Sequence, residues 1–465
     1  MTAGKSYFFC GIGGSGMLPL AAIVHARGAA VAGSDRALDQ GRIGAKFAYL
    51  ERQGIRLFPQ DGSGVTSPDQ RLVTSAAVEE TVPDVVAAAR VGAARVTRPQ
   101  LLAELFNAAA TGIAVGGTSG KSTVTGMIGW ILHALGRRPT VMNGAVMKNF
   151  AGADAPFASA LAGDPDLFVS EVDESDGSIA LYRPAVAVLT NVTLDHKSMD
   201  ELRTLFRAFA GGAGAAVLNA DDPETAALAR GLPTATTFGL AAHAHFSAAN
   251  IDEAPFAVRF DLRHDGRQWP VALQVPGRHN LSNALAALAA VHAIGVDIGA
   301  AAKAIGGFTG LGRRFELVGE IGGVSVIDDF GHNPDKIAAT LRTLHAFPGR
   351  LLVMFQPHGY GPLKVMGDAL VRCFAEELAA DDVLLMPDPV YFGGTVARDV
   401  GSAEIVADVR AAGRHAEHVP ERAAAGDRLT DLARPGDRII VMGARDDTLS
   451  EFARALVTRL GGGAA

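Results

Sequence analysis

The segment that most constrains this chain lies at residues 112–135. The apolar run Gly112-Ile113-Ala114-Val115 reads as a buried strand, Gly116-Gly117-Thr118-Ser119-Gly120-Lys121-Ser122-Thr123 follows at once, and a helix-like stretch continues to about Leu135. A strand, a glycine turn ending in Gly-Lys-Ser and a helix make a phosphate-binding loop. The turn amides and the helix dipole face anionic oxygens, Lys121 reaches the terminal phosphates, and the Ser122 hydroxyl is placed to ligate Mg²⁺. The strict spacing of such loops asks for glycine where Val115 stands. Chance seldom joins all three parts in order.

A second strand–turn–helix opens the chain. Tyr7-Phe8-Phe9-Cys10 leads into Gly11-Ile12-Gly13-Gly14-Ser15-Gly16-Met17 and a helix-like stretch from Leu18 to Arg27. Small residues there let the backbone approach a diphosphate at a helix amino terminus, as in dinucleotide folds. The next strand, Ala30 to Asp35, ends in Ser34 and Asp35, about 20 residues after the glycines, the spacing expected for contact with a ribose. Taken alone, the turn is equally a tight strand–helix connection.

Carboxylates and a histidine cluster at further strand ends. Leu167-Phe168-Val169-Ser170 delivers Glu171, Asp173, Glu174 and Asp176, which either hold Mg²⁺ beside the phosphate loop or form a solvated acidic turn. Ala185 to Leu189 is followed by Asn191 and His196, a metal ligand, a phosphate contact or a structural histidine. Asn280 and Asn283 stand three apart at the start of an alanine-rich helix, facing one ligand or merely capping it. From Leu311 onward, strands at 324–327, 351–355, 382–386 and 438–442 alternate with helical stretches, a further doubly wound pattern.

At about 150 residues per domain, 465 residues suggest three domains. The 42 Lys and Arg against 49 Asp and Glu, with no basic stripe, argue against a nucleic-acid partner. Two cysteines, an amino terminus without a charged start and apolar core, and no apolar run of about 18 residues point to a cytoplasmic protein without membrane attachment.

Together these blocks resemble the Mur ligases, ATP-dependent amide-forming enzymes of peptidoglycan synthesis, in collinear order over nearly the whole chain. Further carriers are Glu171-Val172-Asp173-Glu174-Ser175-Asp176, Asn191 to His196, His279-Asn280-Leu281-Ser282-Asn283, Arg313-Arg314-Phe315-Glu316, Asp328-Asp329-Phe330-Gly331-His332-Asn333-Pro334 and Phe355-Gln356-Pro357-His358. The resemblance implies an α/β chain of three domains: a Rossmann-like UDP-sugar domain (1–107), a central phosphate-loop ATPase (108–310) and a Rossmann-like domain for the amine substrate (311–465). It implies ATP held by Gly117, Thr118, Gly120, Lys121, Ser122, Thr123, Asn280, Arg314 and Asp329. Mg²⁺ would sit at Ser122, Glu171 and His196, with Lys121, Glu171, His196 and Arg314 as the catalytic set. The substrates would lie along Gly11, Gly13, Gly14, Ser15, Gly16, Ser34 and Asp35, and at His332, His358 and Lys364. A monomer or weak homodimer is expected.

One block departs from the family. Its alanine-adding branch is expected to follow Phe-Gln-Pro-His with two arginines that clamp an amino-acid carboxylate. Here the continuation is Gly359-Tyr360-Gly361-Pro362-Leu363-Lys364, with Gly359 and Pro362 at those places, and Phe330 and Asn333 are altered too. Either the amine is another one, such as a peptide, or the carboxylate contact comes from elsewhere, with Arg372 and Arg398 as candidates. Other readings are a catalytically silent nucleotide-binding homologue and a ligase acting on a non-peptidoglycan acid. An NAD-dependent oxidoreductase would leave Lys121 and its surroundings without a purpose.

Overall fold

The structure is a computed structural model. It describes all residues except 1, 3, 77, 194–196, 233, 242, 391–399, 445, 447 and 463–465. Parallel strands need both faces covered, and the sequence supplies them as short runs of apolar residues. In the strand Ser6–Cys10 the last four residues are buried, and it forms the middle of a five-stranded parallel sheet. The order there is Arg56–Phe58, Ala30–Ser34, Ser6–Cys10, Gln70–Thr74, Arg95–Thr97.

The second sheet has seven strands, ordered Thr236–Phe238, Ala215–Asn219, Val186–Leu189, Thr111–Gly116, Asp164–Glu171, Pro139–Met142, Ala160–Leu161. Only the short Ala160–Leu161 strand runs antiparallel to its neighbour. This order matters for chemistry: Thr111–Gly116, which feeds the phosphate loop, lies between the strand ending at Glu171 and the strand leading to Thr190 and Asn191. The helix Lys121–Ala134 then packs back on the sheet through Val124, Met127, Ile128 and Ile131.

One apolar cluster joins the first two sheets. Phe106, from the helix Arg98–Asn107, meets Phe168 at 5.6 Å and Tyr182 at 5.2 Å between ring centroids. Residues Met1–Asp252 and Val258–Gly310 accordingly form one compact unit, within which the expected boundary near 108 falls between sheets. It also holds most of a three-stranded antiparallel sheet, Ser247–Ala254, Ala257–His264 and Arg267–Leu273, that the sequence reading did not anticipate.

Glu253–Ala257 and Leu311–Ala465 form the second compact unit. Its six-stranded sheet runs Glu316–Ile321, Val324–Asp329, Arg438–Gly443, Leu351–Gln356, Val383–Met386, His415–His418, parallel except for the first strand. Most expected element ends fall within one or two residues of those observed. Among the described residues no helix is long and apolar enough to cross a membrane.

Candidate active site

The phosphate loop is held from the neighbouring strand. Gly117 has φ +121°, and a Cβ there would come 2.2 Å from Thr190 Oγ1, so only glycine fits. The Thr190 hydroxyl donates to Ser119 O at 2.6 Å, Asn191 Oδ1 accepts the Ser119 N–H at 2.9 Å, and Asn191 O accepts the Thr118 N–H at 3.0 Å. Gly120, at φ +86°, precedes the helix without a capping side chain, and Thr123 lies in the helix's first turn. The helix Arg278–Ala293 begins beside this loop: a Cβ at Gly120 would lie 2.6 Å from Asn283 Oδ1. Asn283 Nδ2 donates to Asn280 Oδ1 at 3.3 Å, and Asn280 Nδ2 donates to Pro276 O at 2.8 Å.

Lys121 Nζ donates to Gly117 O at 2.6 Å and to the Glu174 carboxylate at 2.8 Å. The Ser122 hydroxyl donates to Glu171 Oε2 at 2.6 Å. Burial works against an ionised Asp173, but Ser175, Lys121 and Arg98 outweigh it and hold this carboxyl below its ordinary range. Among the described residues no three His, Cys, Asp or Glu side chains gather as a metal cluster, and His196 lies outside the described residues. The Ser122–Glu171 pair still offers two hard oxygen donors side by side, the chemistry Mg²⁺ prefers.

The first glycine turn is built differently. Gly11 and Ile12 donate to Ser34 O, tying the turn to the neighbouring strand. Asp35, expected at a ribose, is used internally: Oδ2 accepts the Gly13 N–H at 2.8 Å, and Oδ1 accepts the Ala37 N–H at 2.8 Å. Ser34, expected at the substrate, is fully buried and donates its hydroxyl to Asp84. Asp84 also accepts the Gly62 N–H at 3.0 Å. Burial, with Asp84 beside it, pushes the Cys10 thiol up to about 12, so it is no nucleophile at neutral pH.

A cavity of about 450 Å³ connects the two turns. Gly11, Gly14, Ser15 and Gly16 line one part of it, and Lys121, Glu171, Asp173 and Tyr182 another. Arg98, at the first position of the helix Arg98–Asn107, also lines it. The sequence reading missed Arg98, although Thr97-Arg98-Pro99-Gln100 carries the signal of a capped helix start.

In the second unit the expected residues gather at the carboxyl ends of Val324–Asp329 and Leu351–Gln356. Asp329, expected at the ATP ribose, accepts N–H groups from Phe315 at 2.8 Å and Gly331 at 2.9 Å, and the Thr340 hydroxyl at 3.1 Å. Arg314 stacks over the Phe330 ring at 4.7 Å, and Arg313 lies 5.2 Å from the same ring. His332 Nδ1 lies 2.9 Å from Phe330 O, and its ring meets that of His358 at 5.8 Å. Burial pulls the His332 imidazole down to about 4, so it is neutral at pH 7. Gly359 (φ +134°) precedes the helix Tyr360–Glu377, on which Lys364 and Arg372 are both exposed. Arg398 lies outside the described residues.

Known proteins resemble this chain over nearly its whole length. Three family models match in order: Mur ligase family, catalytic domain, at residues 6–110; Mur ligase middle domain at 115–291; and Mur ligase, glutamate ligase domain, at 313–445. The UDP-N-acetylmuramate--L-alanine ligase of Agrobacterium fabrum is 34% identical over 97% of this chain and 96% of its own length. That of Streptomyces coelicolor is 35% identical over 95% of each. Among solved structures, the UDP-N-acetylmuramate-alanine ligase of Thermotoga maritima superposes with a TM-score of 0.79 at 24% identity, covering 98% of this chain and 99% of that one. A murein peptide ligase of Psychrobacter arcticus gives 0.69 at 23%, with the same coverage. With all three segments matched and relatives aligned end to end, this chain belongs to the Mur ligase family of ATP-dependent amide-forming ligases.

Proposed function

We propose that the chain joins the carboxylate of UDP-N-acetylmuramate to the amino group of an amino acid or peptide, in the cytoplasm. The observation that carries the reading is the cavity running from the Gly11–Gly16 turn to Lys121 and Glu171. A nucleotide-sugar acid would lie along it with its diphosphate at the first turn and its carboxylate at the second.

A carboxylate does not accept an amine at neutral pH, because an oxide is a poor leaving group. A carboxylate oxygen therefore attacks the γ-phosphorus of ATP, the bond to the β,γ-bridging oxygen breaks, and ADP leaves with that electron pair. The neutral amine then attacks the acyl carbon, and the tetrahedral intermediate collapses with loss of phosphate and of the amine's proton. Lys121 would exchange Glu174 for the transferred group's oxygens and neutralise charge there, where most of the catalysis of phosphoryl transfer lies. Ser122 and Glu171 would hold Mg²⁺, which supplies further charge neutralisation when bound. The Gly117 and Gly120 backbone would cradle the phosphates, with Thr118 and Thr123 flanking them, while Asn280 would serve the nucleotide.

For the amine we favour a substrate other than L-alanine. The helix Tyr360–Glu377 opens with Gly359, Gly361 and Pro362, from which no guanidinium fork can be built. The second reading, L-alanine itself, is favoured by the names of the relatives. The test is ATP-dependent phosphate release by the purified protein with UDP-N-acetylmuramate and either L-alanine or the tripeptide L-alanyl-γ-D-glutamyl-meso-diaminopimelate. Robust turnover with L-alanine overturns the first reading. Nucleotide binding without phosphate release for any amine points to a silent homologue.

A further inference from the structure

Arg98 stands out among residues the reaction scheme above leaves unused. It occupies the first position of a helix fixed by a capping box, in which Thr97 and Gln100 satisfy each other's backbone N–H groups, and Pro99 stiffens the next position. Its backbone is thus anchored independently of any ligand. The side chain is half-buried and lines the 450 Å³ cavity, where Arg98 and Lys121 are the only basic residues among those lining it. Lys121 is already engaged by Glu174 and Gly117 O. Arg98 acts electrostatically on the Asp173 carboxylate and on the neutral Tyr182 phenol, but among the described residues no hydrogen bond of its guanidinium is seen, so its donors face the cavity.

Its position relative to the first turn gives the donors a purpose. A Cβ placed on Gly16 would meet Arg98 Cδ at 3.1 Å and Nε and Nη1 at 3.3 Å, so the guanidinium lies directly against that residue. Gly16 is the N-cap of the helix Met17–Ala26 and has no side chain to cap the first-turn amides. A planar cation, a helix amino terminus and a glycine that lets them approach one another thus converge on one end of the cavity. Arginine's fork matches two oxygens of a phosphate, which lysine's single point charge does not.

We propose that Arg98 grips the diphosphate of the nucleotide-sugar donor from beside the Gly11–Gly16 turn, against which its guanidinium packs. The proposal rests on the reading of this cavity as the donor's site. Arg98 contacts a part of the donor that does not react, so its contribution is uniform binding, seen in KM for the donor and not in kcat.

The test is calorimetric titration of the full chain and its Arg98→Met and Arg98→Lys variants with UDP, UDP-N-acetylglucosamine, UDP-N-acetylmuramate and ATP. The middle ligand carries the diphosphate without the carboxylate. Expected is an affinity loss of about 10- to 100-fold for all three uridine ligands in Arg98→Met, with ATP unchanged. Arg98→Lys should recover part of that loss. If the loss is confined to UDP-N-acetylmuramate, Arg98 serves the carboxylate and the proposal falls. It falls equally if all three affinities stay within about twofold, or if ATP weakens in parallel, the mark of general damage. A wild-type chain that binds none of the uridine ligands refutes instead the reading of the cavity on which the proposal stands.

Discussion

The molecule contains two glycine turns, outwardly alike, at the carboxyl ends of parallel strands in two different sheets. Each follows a buried strand and opens a helix, Met17–Ala26 in one case and Lys121–Ala134 in the other. The first is braced by main chain and by Asp35, which ties Gly13 to Ala37 and presents no charge of its own to the cavity. The second carries Lys121 and Ser122, each already paired with a carboxylate, Glu174 and Glu171. The difference matches the work proposed for each turn. On the proposed reading, a diphosphate that stays put needs only fixed dipoles and one anchored guanidinium, whereas charge that shifts during phosphoryl transfer needs cations and oxygen ligands near the reacting atoms.

The sharpest break of that comparison is Lys121→Met. It should lower kcat for phosphate release by about 10³-fold while leaving uridine nucleotide affinity unchanged, because on the proposed reading the lysine serves the transition state of one turn only. A loss smaller than about tenfold would mean that the phosphate loop binds but does not catalyse.

Glycine substitutions test the same contrast through stability. Alanine at Gly117 meets both a φ of +121° and an Oγ1 atom 2.2 Å away, whereas alanine at Gly11 meets φ +82° and no atom within 4 Å. Denaturant unfolding should therefore show a loss of about 3 kcal/mol or more for Gly117→Ala and about 1–2 kcal/mol for Gly11→Ala. Equal losses would show that backbone strain alone decides the choice of glycine and that the Thr190 buttress adds nothing.

The phosphate loop was legible because it is local: strand, turn and helix are contiguous, and each residue type has one physical job. The same holds for the apolar strands, whose ends the sequence marked closely. What stayed hidden is which of a side chain's donors and acceptors the folded protein itself takes up, often through partners distant in the chain. The sequence showed Asp35 at the right spacing for a ribose, but not that Gly13 and Ala37 would take up both its oxygens. Ser34 ends its strand where a ligand contact is expected, but it is fully buried and its hydroxyl is committed to Asp84, 50 residues on. Asp329 likewise is committed to Phe315, Gly331 and Thr340. The antiparallel sheet had a signal that went unused, since Val258, Phe260 and Leu262 alternate with polar residues as a half-buried strand should.

Asp35 supplies the third test. Asp35→Ala removes the acceptor for two backbone N–H groups beneath the first turn, a cost of about 1–3 kcal/mol per unsatisfied group that the loop avoids only by moving. Uridine nucleotide affinity should drop about tenfold and ATP affinity should hold. An unchanged uridine affinity would mean that the turn keeps its shape without the carboxylate, and the contrast between a braced turn and a charged one would lose its first half.

The smallest expected effect concerns Glu174, which holds Lys121 at 2.8 Å with a side chain only 7% exposed. Nucleotide phosphates and this carboxylate compete for one ammonium, so whatever the ion pair contributes is subtracted from the affinity for ATP. A partly buried pair of this kind is worth about 1 kcal/mol, equivalent to about fivefold in a binding constant. Glu174→Gln keeps an acceptor for Lys121 and removes the charge, so ATP should bind about fivefold more tightly. Titration calorimetry reads this directly. Weaker ATP binding would instead mean that Glu174 aims the lysine at its target, making the second turn, like the first, one whose carboxylate works as a brace.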